Sequence, residues 1–409
     1  MQKKVVVVGA GAAGLMAAGR AAERGCDVVV FEKKSQPGKK ILISGKGRCN
    51  ITNTTDMEGL IENTPANGFF LYSTFYTFSN YDIIKFFNDF GVATKVERGG
   101  RVFPESDNAG DVLKALLEYA RKNKARLVYN SRVTGIIAKD GRIEGVMVNN
   151  KDFYECDAVI LAAGGASYPG TGSTGDGYRI AAGLGHAISD LKPSLVPLVA
   201  QEDWVRELQG LSLKNVLLKA YDQKRKKIFE DFGEMLFTHF GVSGPLVLSA
   251  SSHMVSCGFK GCFISIDLKP ALDEQTLDAR IQRDFEKYSR KQFKNSLDDL
   301  LPQKMIPVIV KLSGINESKP VNQITRSERQ LLVKLLKNMI INIEDARPIA
   351  EAIVTSGGVN VDEINPSTME SKLVKGLYFA GEVIDVDAYT GGFNLTIAFS
   401  TGYTAGNSV

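Results

Sequence analysis

Three glycines in the spacing G-x-G-x-x-G, Gly9, Gly11 and Gly14, stand between a run of four valines and a stretch rich in alanine and leucine. Between a strand and a helix, that spacing serves phosphate binding. Gly9 permits a tight turn. Gly11, with Ala12 and Ala13, lets the backbone approach a pyrophosphate at the helix N-terminus, and Gly14 lets helix and strand pack closely. Glu32 follows 18 residues after Gly14, at the end of the next apolar run, where a ribose-binding acid belongs. These residues predict a dinucleotide site and leave NAD(P) and FAD both open.

Other residues could carry chemistry. Arg48, in the basic stretch Lys40-Ile-Leu-Ile-Ser44-Gly-Lys46-Gly47-Arg48-Cys49-Asn50, can neutralise a pyrophosphate or a reduced flavin; its alternative is a surface ion pair. Cys49 lies beside Arg48, which favours a thiolate, yet it has no C-x-x-C or C-x4-C partner, so a packed thiol is the competing reading. His239 sits in the glycine-rich segment Phe237–Pro245 and could relay a proton, against the alternative of a packed histidine. Tyr389 and Asp385 are near the turn Thr390-Gly391-Gly392. Gly391-Gly392-Phe393-Asn394 precedes a last helix, expected over about Leu395–Ala405, whose N-terminal partial charge could stabilise an anionic ring. The three histidines lack metal-ligand spacing and Cys257-x4-Cys262 is a poor zinc match, so no metal site is expected.

The elements that must hold these residues follow from periodicity. Val5–Val8 predicts a buried parallel strand, residues 12–24 a helix, and Val28–Phe31 a second strand. Residues 38–50 fit no period and read as a long loop. Residues 111–124 read as an amphipathic helix, followed by short strands around 126–129, 133–138, 143–148 and 153–155. Ala158-Val-Ile-Leu-Ala-Ala163-Gly164 and Leu377-Tyr-Phe-Ala-Gly381-Glu382 are buried strands running into glycine. The composition changes near Lys192. Residues 191–345 hold 23 Lys+Arg against 19 Asp+Glu, net +4, which is the whole formal charge of the chain (50 minus 46). The expected organisation is a discontinuous domain, 1–191 with 346–409, interrupted by an insertion over 192–345. The insertion reads as β-rich over about 192–270, with strands near 217–220, 228–229, 235–237 and 262–268. It reads as helical over about 271–345, with helices near 273–288, 297–312 and 325–339.

The composition, 44% hydrophobic and 23% charged over 409 residues, excludes disorder as the main state. No apolar run reaches the ~18 residues of a membrane span, and Val5–Val8 is too short for a signal-peptide core. With five cysteines in no paired framework, a reduced cytoplasmic setting is expected, with no membrane or DNA partner. Oligomeric state is left open.

The strand ending Ala163-Gly164 resembles the A-T-G strand of two-dinucleotide flavoproteins, with alanine for threonine. Gly381-Glu382 resembles their late G-D motif, whose acid binds the ribityl or pyrophosphate part of FAD. Together with Lys40–Asn53 and Thr390-Gly-Gly-Phe-Asn394, the whole chain resembles the BaiN/RdsA family of FAD-dependent oxidoreductases. The family pattern S-G-G-G-R-C-N has Lys46 here at its middle glycine, which adds a cation near the flavin. The resemblance implies an α/β class: a glutathione-reductase-like FAD-binding Rossmann domain interrupted by an inserted β-barrel-like part and a small helical part. It implies FAD contacts from Gly9–Gly14, Glu32, Lys33, Lys40, Ser44, Gly47, Arg48, Cys49, Asn50, Val133, Ala163, Gly164, Gly381, Glu382, Gly392, Phe393, Asn394 and Leu395.

The expected function is an FAD-dependent oxidoreductase whose flavin is reduced transiently by NADH or NADPH, since no second glycine fingerprint opens a nicotinamide domain. Lys46, Cys49, His239 and Tyr389 are the candidate catalytic residues. The acceptor is an unidentified small molecule or RNA. Resemblance offers C=C reduction, oxidation of a small amine, and dihydrouridine synthesis in ribosomal RNA. FAD binding without turnover is the alternative of a different class. The basic clusters Lys224–Lys227 and Arg290–Lys294, with Phe229, Tyr288 and Phe293 nearby, would suit a phosphate-tracking surface, or simply a solvated face.

Overall fold

Runs of valine and isoleucine build the centre of the larger of two units. In the computed structural model, which describes residues 2–409, β1 (Lys4–Val8), α1 (Ala12–Glu23) and β2 (Asp27–Phe31) form the predicted β-turn-α-β. A five-stranded parallel sheet runs in the order Leu377–Phe379, Ala158–Leu161, β1, β2, Arg126–Val128. Val5, Val6, Val7, Val159, Ile160 and Leu161 are all buried, which explains apolar runs without alternation. The last helix, Phe393–Ser408, lies directly on α1. A Cβ on Gly402 would sit 2.4 Å from the Ala13 carbonyl oxygen, and one on Gly406 2.4 Å from that of Ala17, so only glycine permits this approach.

The first unit comprises the chain up to Ser194 together with Ile349–Val409. Within it, an antiparallel meander, Val133–Lys139, Arg142–Val148 and Asp152–Glu155, stands apart from the parallel sheet. A two-stranded ladder pairs Lys192–Ser194 with Val354–Ser356, antiparallel, Ser194 opposite Val354.

The stretch after β2 is not the long loop its sequence suggests. It forms α2 (Lys39–Ile43) and then a 3-10 turn over Ser44–Gly47. Only Ile41 of α2 is buried, so a helix this short shows no apolar period. Its start is fixed by left-handed Gly38 (φ 62°), whose N–H donates to the Ala10 carbonyl at 2.9 Å.

The second unit, Leu195–Pro348, contains a closed six-stranded antiparallel barrel. Its strands, in order around the barrel, are Leu198–Ala200, Gly241–Ser243, Lys227–Phe237, Ser212–Tyr221, Phe263–Asp267 and Met339–Ala346. The two short strands expected near 228 and 236 are one eleven-residue strand, whose exposed centre, Glu230–Phe232, hides the alternation. Helices Glu274–Lys287 and Arg326–Lys337 lie close to the spans expected near 273–288 and 325–339. The helix expected over 297–312 begins only at Ile306. Pro302 precedes a 3-10 turn and Pro307 falls in the first helical turn, where its missing N–H does no harm. Helix Pro245–Met254 was hidden behind Gly241, Gly244 and Pro245, which read as a loop. None of the described helices is long and apolar enough to cross a membrane.

Candidate functional site

A cleft of about 500 Å³ opens in the first unit above the ends of β1 and β2. Gly9 follows β1 directly, at φ 100°, and its N–H donates to the Phe31 carbonyl at 2.9 Å. A Cβ on Gly9 would lie 2.6 Å from the Ala162 carbonyl oxygen, and one on Gly14 would lie 1.9 Å from that of Gly9. Both glycines are required by protein packing. Gly11 differs: it lines the cleft, and a Cβ there meets no protein atom within 4 Å. Helix α1 begins beside it with no side-chain cap and no acid in its first turn. Its free N–H groups and positive dipole end therefore suit a phosphate.

Glu32 lines the cleft, held by two backbone N–H groups. Its Oε2 accepts from Ala10 at 2.9 Å and its Oε1 from Lys34 at 2.8 Å. The carboxylate keeps lone pairs for sugar hydroxyls. Beside it, Lys33 donates to Thr174 Oγ1 at 2.5 Å and to Asp176 Oδ2 at 3.0 Å. Arg132 grips the same carboxylate from two nitrogens, at 2.7 and 3.0 Å, and Arg179 joins them. Burial opposes the charge on Asp176, but Arg132 and Lys33 outweigh it and hold the carboxyl well below the usual range. Val133 and Arg132 both line the cleft. Arg132 and Asp176 were missed by sequence reasoning, because no spacing rule joins residues 44 positions apart.

The acid after the strand Leu377–Phe379 is less open than the G-D motif implies. Glu382 lines the cleft, but its Oε2 takes Lys40 Nζ at 2.8 Å, and its Oε1 accepts from Ser167 Oγ and the Thr355 N–H, each at 2.9 Å. Lys40 also donates to Ser167 at 2.8 Å. Burial works against ionisation of Glu382; Lys40, the Thr355 N–H and Ser167 overcome it and lower its pKa. Glu382 thus organises the cleft wall. Gly381 beside it is left-handed (φ 75°) and a Cβ there would crowd that of Ala13 at 2.9 Å. Ala163 and left-handed Gly164 line the same wall.

Residues 44–50 divide. Ser44 and Lys46 line the cleft; Gly47, Arg48, Cys49 and Asn50 do not. Lys46 is exposed, left-handed at φ 59°, and has no ion-pair partner among the described residues. Arg48 turns to Glu97 and Asp107 (2.7 Å) and stacks over Phe103, 4.2 Å from the ring centre. The expected pyrophosphate contact of Arg48 is corrected to ion pairs with Glu97, at the end of the strand Thr94–Glu97, and with Asp107, after the strand Arg101–Pro104. Cys49 is fully buried and burial pushes its thiol up to about 12, so the redox role is corrected to a packed thiol. The Asn50 Oδ1 is buried without a partner.

The last helix presents Asn394 and Leu395 to the cleft, while Gly392 and Phe393 support them from behind. Gly392 (φ 102°) passes so close to Thr52 that a Cβ would sit 2.3 Å from its carbonyl oxygen. The Asn394 amide is pinned to Ala388, donating to its carbonyl at 2.7 Å and accepting from its N–H at 3.0 Å. Tyr389 is half-buried, with its phenol pushed up by burial, and does not line the cleft. His239 belongs to the barrel unit, exposed and edge-on to Phe240. Tyr168, left-handed at φ 49°, lines the cleft with Ile353 and Val354 and was not anticipated. Its one signal is its place between Gly164-Gly165 and Pro169-Gly170.

FAD fits these residues. The open side of Gly11 and two helix N-termini without side-chain caps leave room and partners for it. Residues 3–408 match the family described as HI0933-like protein Rossmann domain. The chain is 31% identical to a 3-dehydro-bile acid delta(4,6)-reductase of Clostridium scindens, over 99% of this chain and 98% of that protein. It is also 31% identical to a ribosomal RNA dihydrouridine synthase of Haemophilus influenzae, with the same two coverages. In fold it is similar to a flavocytochrome c3 fumarate reductase (TM-score 0.53, 16% identity, 100% of this chain and 78% of that one). It is similar too to a 3-ketosteroid-delta4-(5alpha)-dehydrogenase from Rhodococcus jostii (TM-score 0.53, 17% identity, 100% and 96%). The glycine turn, the parallel sheet and these matches over nearly the whole length together place the chain in the HI0933-like Rossmann family, with the FAD-binding fold of its oxidoreductases.

Proposed function

We propose that the protein is an FAD-dependent reductase that takes hydride from NADH or NADPH and delivers it to a C=C bond of a small-molecule acceptor. The observation that carries this is one cleft lined at once by the Gly9–Ala13 turn, Glu32, Lys40, Ser44, Lys46 and the start of the last helix. The names of two relatives support the acceptor class, since a delta(4,6)-reductase and a dihydrouridine synthase both denote saturation of a C=C bond.

When bound, the flavin carries hydride between donor and acceptor. The chain binds and orients. The N–H groups at the start of α1 hold phosphate, and Glu32 accepts from sugar hydroxyls. The N-terminus of the last helix favours negative charge in the cleft. Ile353, Val354, Leu395 and Ile397 give the cleft an apolar lining that excludes water. Lys46, exposed at the cleft, offers a cation to an anionic acceptor.

The test is a visible spectrum of the purified protein, then anaerobic addition of NADH and of NADPH. Rapid bleaching by one of them is expected, followed by reoxidation by an enone. A flavin that stays oxidised with both would overturn the reductase reading in favour of amine oxidation or binding without turnover.

A second reading, action on RNA, is favoured by the exposed basic turn Lys224-Arg225-Lys226 in the hairpin between Tyr221 and Lys227. Asp222 Oδ1 accepts from the backbone N–H groups of Lys224 (2.9 Å) and Lys226 (2.8 Å), which fixes that turn. Binding led by phosphate contacts weakens steeply with salt, and RNA binding insensitive to salt would contradict this reading.

A further inference from the structure

Two thiols of the barrel unit are in contact. Cys257 Sγ lies 3.7 Å from Cys262 Sγ across the turn Gly258-Phe259-Lys260-Gly261. Gly258 (φ 75°) and Gly261 (φ 84°) are left-handed and make the reversal that brings the two side chains together. The turn is clamped from one side: Gln223 Nε2 donates to the carbonyls of Cys257 (2.7 Å), Gly258 (3.1 Å) and Lys260 (3.1 Å). Cys262 is tied to the barrel, its carbonyl accepting from the Ile343 N–H at 2.9 Å. Cys257 is half-buried and Cys262 is buried. Each thiol donates only weakly to a carbonyl, Cys257 to Met254 at 3.4 Å and Cys262 to Gly258 at 3.1 Å, so little holds the sulfurs apart.

We propose that Cys257 and Cys262 form a peroxide-oxidisable dithiol that closes to an intramolecular disulfide. Nothing in the catalytic reading uses this pair, and the inference does not depend on that reading. The half-buried Cys257 meets peroxide first, because burial and the neighbouring Cys257 sulfur push the Cys262 thiol up to about 12. The Cys257 thiolate attacks one oxygen of hydrogen peroxide, the O–O bond breaks and hydroxide leaves, giving a sulfenic acid. The Cys262 sulfur then attacks the Cys257 sulfur. The S–S bond forms, the S–O bond breaks, and the departing hydroxide takes the Cys262 proton as water. Two thiols and one peroxide yield one disulfide and two waters. The sulfurs must close from 3.7 Å to about 2.05 Å, a rotation that the glycine-flanked turn can accommodate.

The experiment uses the whole purified protein, reduced, freed of reductant and exposed to hydrogen peroxide. Titrated after denaturation, the five free thiols fall to three, the intact mass drops by about 2 Da, a peptide map shows 257 joined to 262, and dithiothreitol reverses all of it. Cys257→Ser and Cys262→Ser each abolish the linked peptide. Should Cys262→Ser fail to fold, the half-buried Cys257→Ser and the wild-type peptide map still decide. Five thiols after peroxide, a disulfide to another cysteine, or two oxygens added at Cys257 with Cys262 left free would each overturn the proposal.

Discussion

Lys40 Nζ and Glu382 Oε2 meet at 2.8 Å although they stand 342 positions apart in the chain. The contact joins α2 to the turn after the strand Leu377–Phe379, across the cleft wall. Lys40→Met strands the carboxylate among Ser167 and Thr355 with its cation gone. Both side chains are partly accessible, 32% and 18%, so the loss is about 1–3 kcal/mol rather than that of a fully buried pair. Urea unfolding checks it, and the double variant Lys40→Met, Glu382→Gln should recover much of the loss. The folded pKa of Glu382 lies below its ordinary value of 4.5, so its contribution is complete above that pH and is lost as the pH falls through the folded value.

Gly11 and Gly14 separate ligand space from protein packing. A Cβ at Gly11 has no atom of the described residues within 4 Å, whereas one at Gly14 would strike the Gly9 carbonyl. Gly11→Val should abolish flavin retention while costing the apoprotein only about 1 kcal/mol. Gly14→Val should cost about 3 kcal/mol or more and unfold the glycine turn itself. Flavin absorbance after gel filtration and thermal unfolding of the apoproteins distinguish the two.

Lys46 combines a left-handed backbone with a charge that has no ion-pair partner among the described residues. Lys46→Gly removes the left-handed penalty and should raise stability by about 0.5 kcal/mol. It also removes the cation, so kcat/KM for an anionic acceptor such as ferricyanide should fall about fivefold, with a neutral quinone unaffected. An equal fall for both acceptors would remove Lys46 from acceptor recognition.

His186 is buried, with Nδ1 3.0 Å from Glu363 Oε2 and Nε2 2.9 Å from Ser371 Oγ. Burial lowers its pKa, outweighing the opposite pull of Glu363. The folded value is below the ordinary 6.5, so the neutral ring is favoured in the fold. This stability is complete above the ordinary value and is lost as the pH falls below it. Tm should therefore drop between pH 7.5 and 5.5, and His186→Gln should flatten that part of the profile.

Local geometry explains what the sequence made legible. Gly9, Gly11, Gly14 and Glu32 are compelled by a turn built from adjacent elements, and the valine runs announce a sheet buried on both faces. The barrel was legible as a strand-rich insertion, although its longest strand was broken in two by the exposed Glu230–Phe232. Tertiary pairs were not legible: Lys40 with Glu382, and Arg132 with Asp176, are made by the fold alone. Arg48 and Cys49 misled for a related reason. Left-handed backbone at Gly45, Lys46, Gly47 and Cys49 turns the chain repeatedly, so neighbours in sequence point to different surroundings.

The short ladder of Lys192–Ser194 with Val354–Ser356 belongs wholly to the first unit, yet it brackets everything from Leu195 to Pro348. The two ends of the insertion are thus already hydrogen-bonded to each other at Ser194 and Val354, whatever lies between them. Loop-closure cost grows only slowly with length, so a stapled pair of ends tolerates a long or a short passenger almost equally. The ladder thus lets the first unit close on itself, glycine turn and cleft included, through its own hydrogen bonds.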